Sequence, residues 1–243
     1  MSLLGAAGAV QNVLWLPLGD SITFGCTGPA IEDCHPESGG YRVPLAFALS
    51  QPALGDPKDP KNVGFNVTTM GTAQTGPYYV PAQWTMHCGF PGWTIPMIDD
   101  FLPQAFASNP NRPDIITVHL GTNDCNGGHA LTQMVTNMNS LLNKTFVTAP
   151  TAHVFLADTI PTGQSWNTCI TAWSAAVPGI VAQWAGRGMK ITFVPMNGEV
   201  RMCGDTGDDF DLCGAHQVHP TSAGYPRMAS AFALAILKHF NRE

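Results

Sequence analysis

Five short apolar or β-branched stretches, each followed by a segment with helical spacing, constrain this chain more than any other feature. The stretches are residues 13–18, 65–70, 114–120, 153–157 and 190–194. Short runs rich in Val, Ile, Leu and Phe read as buried strands. Residues 41–50, 94–106, 131–146, 170–187 and 221–239 instead repeat apolar residues at helical intervals. Leu131, Met134, Val135, Met138, Leu141 and Leu142, for example, fall on one stripe, which reads as core. Strands that alternate with helices pair in parallel, because each return to the sheet needs a crossover, and the helices then cover both faces. The expectation is an α/β fold: a three-layer, doubly wound, five-stranded parallel sheet in the flavodoxin-like order 2-1-3-4-5. In such sheets ligands bind beyond the carboxyl ends of the strands, at the switch point. The residues that follow the first and third strands are therefore the ones to read for chemistry.

The 243 residues are 44% hydrophobic and 12% charged. That suits a single domain over 1–243 with a well-filled core. Residues 51–62 and 71–92 lack an apolar period and read as loops. Net charge is −6 with no basic run, so nucleic acid and anionic membrane surfaces are poor partners. No apolar run reaches spanning length. The first ten residues are small and apolar without a positive n-region, and read as a mature start or a cloning remnant. Seven cysteines stand at 26, 34, 88, 125, 169, 203 and 213, none at zinc-knuckle spacing. Two acceptor sequons, Asn66-Val67-Thr68 and Asn143-Lys144-Thr145, add to the expectation of a secreted glycoprotein with disulfides. The pairing expected is Cys26–Cys34, Cys203–Cys213 and Cys88–Cys125, with Cys169 free.

Four stretches carry chemistry. Gly19-Asp20-Ser21-Ile22-Thr23 follows the first strand. Gly19 permits a sharp turn there, and Ser21 then stands among free backbone N–H groups, where its hydroxyl can attack a carbonyl and its own N–H can meet the oxyanion. Taken alone, a capping serine reads equally well. Gly92, before the helix at 94, can offer a backbone N–H to an anion, or belong to an ordinary glycine-rich loop. Asn123, in Gly121-Thr122-Asn123-Asp124 after the third strand, can donate an amide to an oxyanion, or make a turn. His219, in His-Pro-Thr-Ser-Ala-Gly-Tyr (219–225), is a general-base candidate, or a surface histidine.

Gly-Asp-Ser-Ile-Thr, Gly-Trp-Thr-Ile, Leu-Gly-Thr-Asn-Asp and His-Pro-Thr-Ser-Ala-Gly-Tyr occur in this order from Ser21 to Tyr225. The combination resembles the GDSL/SGNH hydrolase superfamily, and within it the carbohydrate esterases of family three, which include acetyl xylan esterases. The resemblance implies a flavodoxin-like SGNH hydrolase fold and a serine esterase, a carboxylic ester hydrolase that uses no cofactor and no metal. It makes Ser21 the nucleophile and His219 the base. It places Ser21 N–H, Gly92 N–H and the Asn123 side chain in the oxyanion hole. The implied substrate is an acylated carbohydrate or small ester, with acetyl on plant cell-wall sugars foremost. A lipase or thioesterase for longer acyl chains, and a catalytically weakened glycan-binding member, stay open. The Gly-x-Ser-x-Gly elbow of ordinary α/β-hydrolases is absent.

One position departs from the family. Its usual Asp-x-x-His is here His216-Gln217-Val218-His219. A carboxylate there fixes the imidazole tautomer, and in a serine protease its loss costs about 10⁴ in turnover. Three substitutes compete: a backbone carbonyl or neutral His216 in a Ser–His dyad, one of Asp208, Asp209 or Asp211, or none, leaving a weak enzyme. His216 and His219 also make a poor metal pair without a third ligand. Tyr78, Tyr79, Trp84 and Trp93 either stack on sugar faces or pack within loops and core.

Overall fold

The computed structural model describes residues 10–28, 33–51, 64–198 and 218–240. Its strands are β1 Gln11–Gly19, β2 Phe65–Thr69, β3 Ala73–Gln74, β4 Met86–Gly89, β5 Ile115–His119, β6 His153–Ala157 and β7 Ile191–Val194. Its helices are α1 Ser21–Phe24, α2 Arg42–Ser50, α3 Ile95–Ala107, α4 Thr122–Asn126, α5 Leu131–Thr148, α6 Asn167–Ala185 and α7 Gly224–Phe240. The strands β2, β1, β5, β6 and β7 lie side by side in parallel, in the order expected.

β1 shows why the sheet needs two covers. Leu16 and Leu18 enter a core with Ile98 and Leu102 of α3, Met138 and Leu142 of α5 and Trp173 of α6. Val13 and Trp15 enter a second core with Leu45 and Leu49 of α2 and Met228 and Phe232 of α7. The period-2 alternation of a strand thus feeds both faces, and each helix buries its apolar stripe on one of them.

Among the described residues the sheet has seven strands where five were expected. β3 and β4 fall in the stretch 71–92 that reads as loop. β2 pairs with β1 only over Gln11–Trp15, and β4 takes the same edge further on, at Leu18 and Gly19. Met86-His87-Cys88-Gly89 is too short to show a period, and neither a histidine nor a glycine signals a strand, so it leaves little trace in sequence. Its polar groups are satisfied inside: Thr75 Oγ1 bonds His87 Nε2 at 2.9 Å, and Gly89 N–H donates to His87 Nδ1 at 3.0 Å.

The cysteines correct a second expectation. Cys26–Cys34 forms as read, but Cys125 pairs with Cys169, and Cys88 is a buried thiol. Cys88 lies in the sheet and points into the core under α3, whereas Cys125 is on α4, which packs on α6. Cys203 and Cys213 lie outside the described residues.

Arg42 is wholly buried, which a guanidinium tolerates only when its donors are used. It donates to the carbonyls of Thr23, Phe24, Ser38, Thr75 and Thr85 and to Thr75 Oγ1. One side chain thus ties the end of α1, the segment after the Cys26–Cys34 loop and the β3–β4 hairpin together. Arg42→Leu would strand these acceptors. A loss of about 3 kcal/mol or more is expected, which for a chain of this size lowers Tm by roughly 6–12 °C. Urea and thermal unfolding of the variant measure it.

Candidate active site

The strand register sets the site. Gly19 lies opposite Gly89 on one side and His119 on the other, and His119 lies opposite Ala157. Four strands therefore end level. Ser21 is two residues beyond that line, Gly92 three and Asn123 four, so all three come from neighbouring strand ends.

Gly19 is required where it stands. A Cβ there would fall 2.0 Å from Thr23 Oγ1 and 2.8 Å from the His119 carbonyl. Only glycine lets α1 fold back this tightly on the sheet. Asp20 caps α1, its Oδ1 accepting the Ile22 N–H at 2.9 Å, and Gly25 closes the helix with φ of 110°. Burial pushes the Asp20 carboxyl up to about 7, helped by the charge of Asp124 and opposed by the Ile22 N–H and the Thr122 hydroxyl. Ser21 is buried, 6% exposed, at the first position of α1.

His219 reaches this serine from the turn before α7. Its Nε2 lies 2.8 Å from Ser21 Oγ, and its Nδ1 lies 2.6 Å from the Gly28 carbonyl. A carbonyl only accepts, so Nδ1 carries the proton and Nε2 presents its lone pair to the serine hydroxyl. Burial lowers the His219 pKa below the ordinary imidazole value, while the Gly28 bond and the Asp33 charge pull it back up. Tyr225, on α7, donates its hydroxyl to the Cys26 carbonyl at 2.5 Å. It fixes the start of that helix against the disulfide loop that presents Gly28.

Gly92 and Asn123 meet through Trp93. Trp93 N–H closes a turn onto the Phe90 carbonyl at 3.1 Å, and Gly92 takes φ of 81° at its third position. In such a turn the third residue's own N–H is not used by the turn. Asn123 Nδ2 donates to the Trp93 carbonyl at 2.9 Å, which engages one of its two amide hydrogens. Asp124 ties the same corner together. Its Oδ2 accepts the Ile95 N–H at 3.0 Å at the start of α3, and its Oδ1 meets His129 Nδ1 at 3.3 Å.

His216 and Asp208, Asp209 and Asp211 lie outside the described residues. Among the described residues, no three His, Cys, Asp or Glu side chains are grouped to hold a metal ion. Nor is any helix there long and apolar enough to cross a membrane. Trp93 packs against Phe90 at 4.2 Å and Phe101 at 5.3 Å between ring centres. Tyr78 and Tyr79 are 88% and 75% exposed. Trp84 lines a cavity of about 730 Å³ with Thr27, Val43, Tyr79 and Tyr225, and neither Ser21 nor His219 is in its lining. Two participants escape a reading by residue type. The Gly28 carbonyl has no signature, since every residue has one. Asp33 is marked only by lying between the paired Cys26 and Cys34.

Comparison with known proteins covers the same stretch. The model of the GDSL-like Lipase/Acylhydrolase family matches residues 18–227. A putative endoglucanase X of Acetivibrio thermocellus is 28% identical over 150 residues, 58% of this chain and 61% of that relative. A multidomain esterase of Ruminococcus flavefaciens is 23% identical over 252 residues, 93% of this chain and 28% of that relative. The chain thus spans less than two thirds of either relative's length. The structure of a Clostridium thermocellum family 3 carbohydrate esterase superposes with a TM-score of 0.73 at 24% identity, covering 96% of this chain and 98% of the other.

Proposed function

The chain belongs to the GDSL-like lipase/acylhydrolase family, and from that premise we propose that it is a serine esterase cleaving short acyl esters, acetyl foremost, on carbohydrates. The observation that carries this reading is the 2.8 Å contact between Ser21 Oγ and His219 Nε2, with Nδ1 held on a carbonyl. His219 takes the hydroxyl proton as Ser21 Oγ attacks the ester carbonyl. The oxyanion forms among Ser21 N–H, Gly92 N–H and the free amide hydrogen of Asn123. His219 then gives its proton to the departing alcohol. Water, activated by the same imidazole, releases the acid and restores Ser21. With Nδ1 bonded to Gly28, the pair works as a dyad.

The carbohydrate substrate draws its support from the relatives, one named an endoglucanase and one a multidomain esterase. The disulfides Cys26–Cys34 and Cys125–Cys169 favour an oxidising, extracellular setting. Acetyl release from defined acetylated xylo-oligosaccharides, with Ser21→Ala as control, tests the proposal; no release by the parent enzyme would refute the substrate class. A lipase or thioesterase reading draws on the apolar cavity beside Thr27. A series of p-nitrophenyl esters separates the two, since the esterase reading requires kcat/KM to be highest for acetate. A fluorophosphonate that left Ser21 unlabelled would instead leave a glycan-binding domain.

The pH profile follows from the base. Neutral imidazole is the proton acceptor, and burial disfavours the cation. Activity should therefore persist as pH falls through the free-imidazole value. The acid limb of kcat/KM is expected below about pH 6.5. A limb above that value would contradict His219 as the buried acceptor.

A further inference from the structure

The dyad leaves one chemical need unmet. When His219 takes the serine proton it becomes a cation in a half-buried site. The Gly28 carbonyl holds the tautomer but brings only a dipole, whereas a triad carboxylate brings a full charge. The position three residues before the histidine, where that carboxylate usually stands, holds His216.

A carboxylate does lie at this corner, on a different element. Asp33 belongs to the loop that Cys26–Cys34 closes. Its main-chain carbonyl accepts the Thr27 N–H at 3.3 Å. Its side chain lies against Gly28, so closely that a Cβ on Gly28 would come within 2.3 Å of Oδ2 and 2.4 Å of Cγ. The absence of a side chain at residue 28 is what admits the carboxylate. The same Gly28 presents its carbonyl to His219 Nδ1.

We infer that Asp33 is a positioning residue for this dyad: it stabilises the His219 imidazolium from behind the Gly28 peptide, dividing the work of the missing triad acid between a carbonyl that orients and a carboxylate that supplies charge. The inference rests on the Ser21–His219 reading. Among the described residues, the ionisable groups of the elements that meet here include Asp33 from the disulfide loop, Asp20 ahead of α1, Arg42 from α2 and Tyr225 from α7. Of these, Asp33 is the one whose charge raises the His219 pKa. Arg42 is held by carbonyls, and Tyr225 by Cys26. The disulfide gives the arrangement its precision, because a loop closed within eight residues keeps Gly28 and Asp33 on one short frame.

The test compares the full chain with its Asp33→Asn and Asp33→Glu variants on p-nitrophenyl acetate across pH. Asp33→Asn is expected to lower kcat about tenfold with KM unchanged, and to move the acid limb of kcat/KM to lower pH, since the cation loses its stabiliser. Asp33→Glu keeps the charge and is expected to hold the limb near that of the parent. An unmoved limb in Asp33→Asn overturns the inference, whether kcat is retained or lost, because a merely structural aspartate would alter activity without altering the proton affinity of His219. Should Asp33→Asn not fold, a limb in Asp33→Glu that moved to lower pH as though the charge were gone would equally overturn it. Fluorophosphonate labelling of the parent enzyme separates the two levels. Labelled Ser21 with an unmoved limb removes Asp33 alone, and unlabelled Ser21 removes the dyad itself.

Discussion

Ser21→Ala is expected to lower kcat for a short acyl ester by about 10⁶, and His219→Ala added to it to cost almost nothing further. The reason is that nucleophile and base are one unit. The hydroxyl is a poor nucleophile until a neighbouring nitrogen takes its proton, and the proton that nitrogen later gives to the leaving alcohol is the one it took from the hydroxyl. Either change alone removes the same event. If the two residues acted independently, their losses would multiply, and the double variant would fall about as far again. A double-mutant cycle in kcat with p-nitrophenyl acetate distinguishes these cases. Residual catalysis of about 10³ over water should survive in all three variants, because an oxyanion site and substrate binding do not depend on the dyad. A Ser21→Ala variant within tenfold of the parent would remove Ser21 from the chemistry altogether.

The legible parts of this molecule are those where burial acts on many residues at once. β1, β5, β6 and β7 feed cores on both faces of the sheet, so their buried positions are mostly apolar, and each overlaps an apolar run that reads as a strand. α5 shows its stripe because one face alone meets the core. β3 and β4 escape because they are short and their buried polar groups find partners in three dimensions, as His87 does with Thr75. The Cys88–Cys125 expectation fails because nearness to motifs in sequence is not nearness of Cβ atoms. Cys88 is committed to the strand interior, and α4 meets α6 instead. The group that holds His219 Nδ1 was unreadable by residue type, since a backbone carbonyl at residue 28 leaves no chemical mark. Only the disulfide, by fixing a short loop, hints that something beside Cys26 is held in place for a purpose.

Asn123→Ala carries the second large expectation, a fall in kcat of about 10²–10³ with KM little changed. The asymmetry between kcat and KM is the informative part. An ester carbonyl is a weak acceptor in the ground state and becomes an anion at the tetrahedral stage, so a donor aimed at the developing charge acts mainly on the barrier. On the proposed reading Asn123 is placed for that. One amide hydrogen is spent on the Trp93 carbonyl at 2.9 Å, which stops the side chain from rotating and leaves the other free to point. The anchor has a separate, smaller consequence: without it the Trp93 carbonyl loses its donor, and about 1 kcal/mol of stability goes with it. That loss would be read in unfolding and not in kcat. Asn123→Asp sharpens the test, because it has nearly the same shape but replaces a donor by a carboxylate. The charge would repel the oxyanion, and kcat should fall at least as far as in Asn123→Ala. If Asn123→Ala instead raised KM with kcat intact, the residue would be a ground-state binding group. The oxyanion would then rest on the backbone donors of Ser21 and Gly92 alone, and the level ending of β1, β4 and β5 would serve to seat the substrate and not to stabilise its transition state.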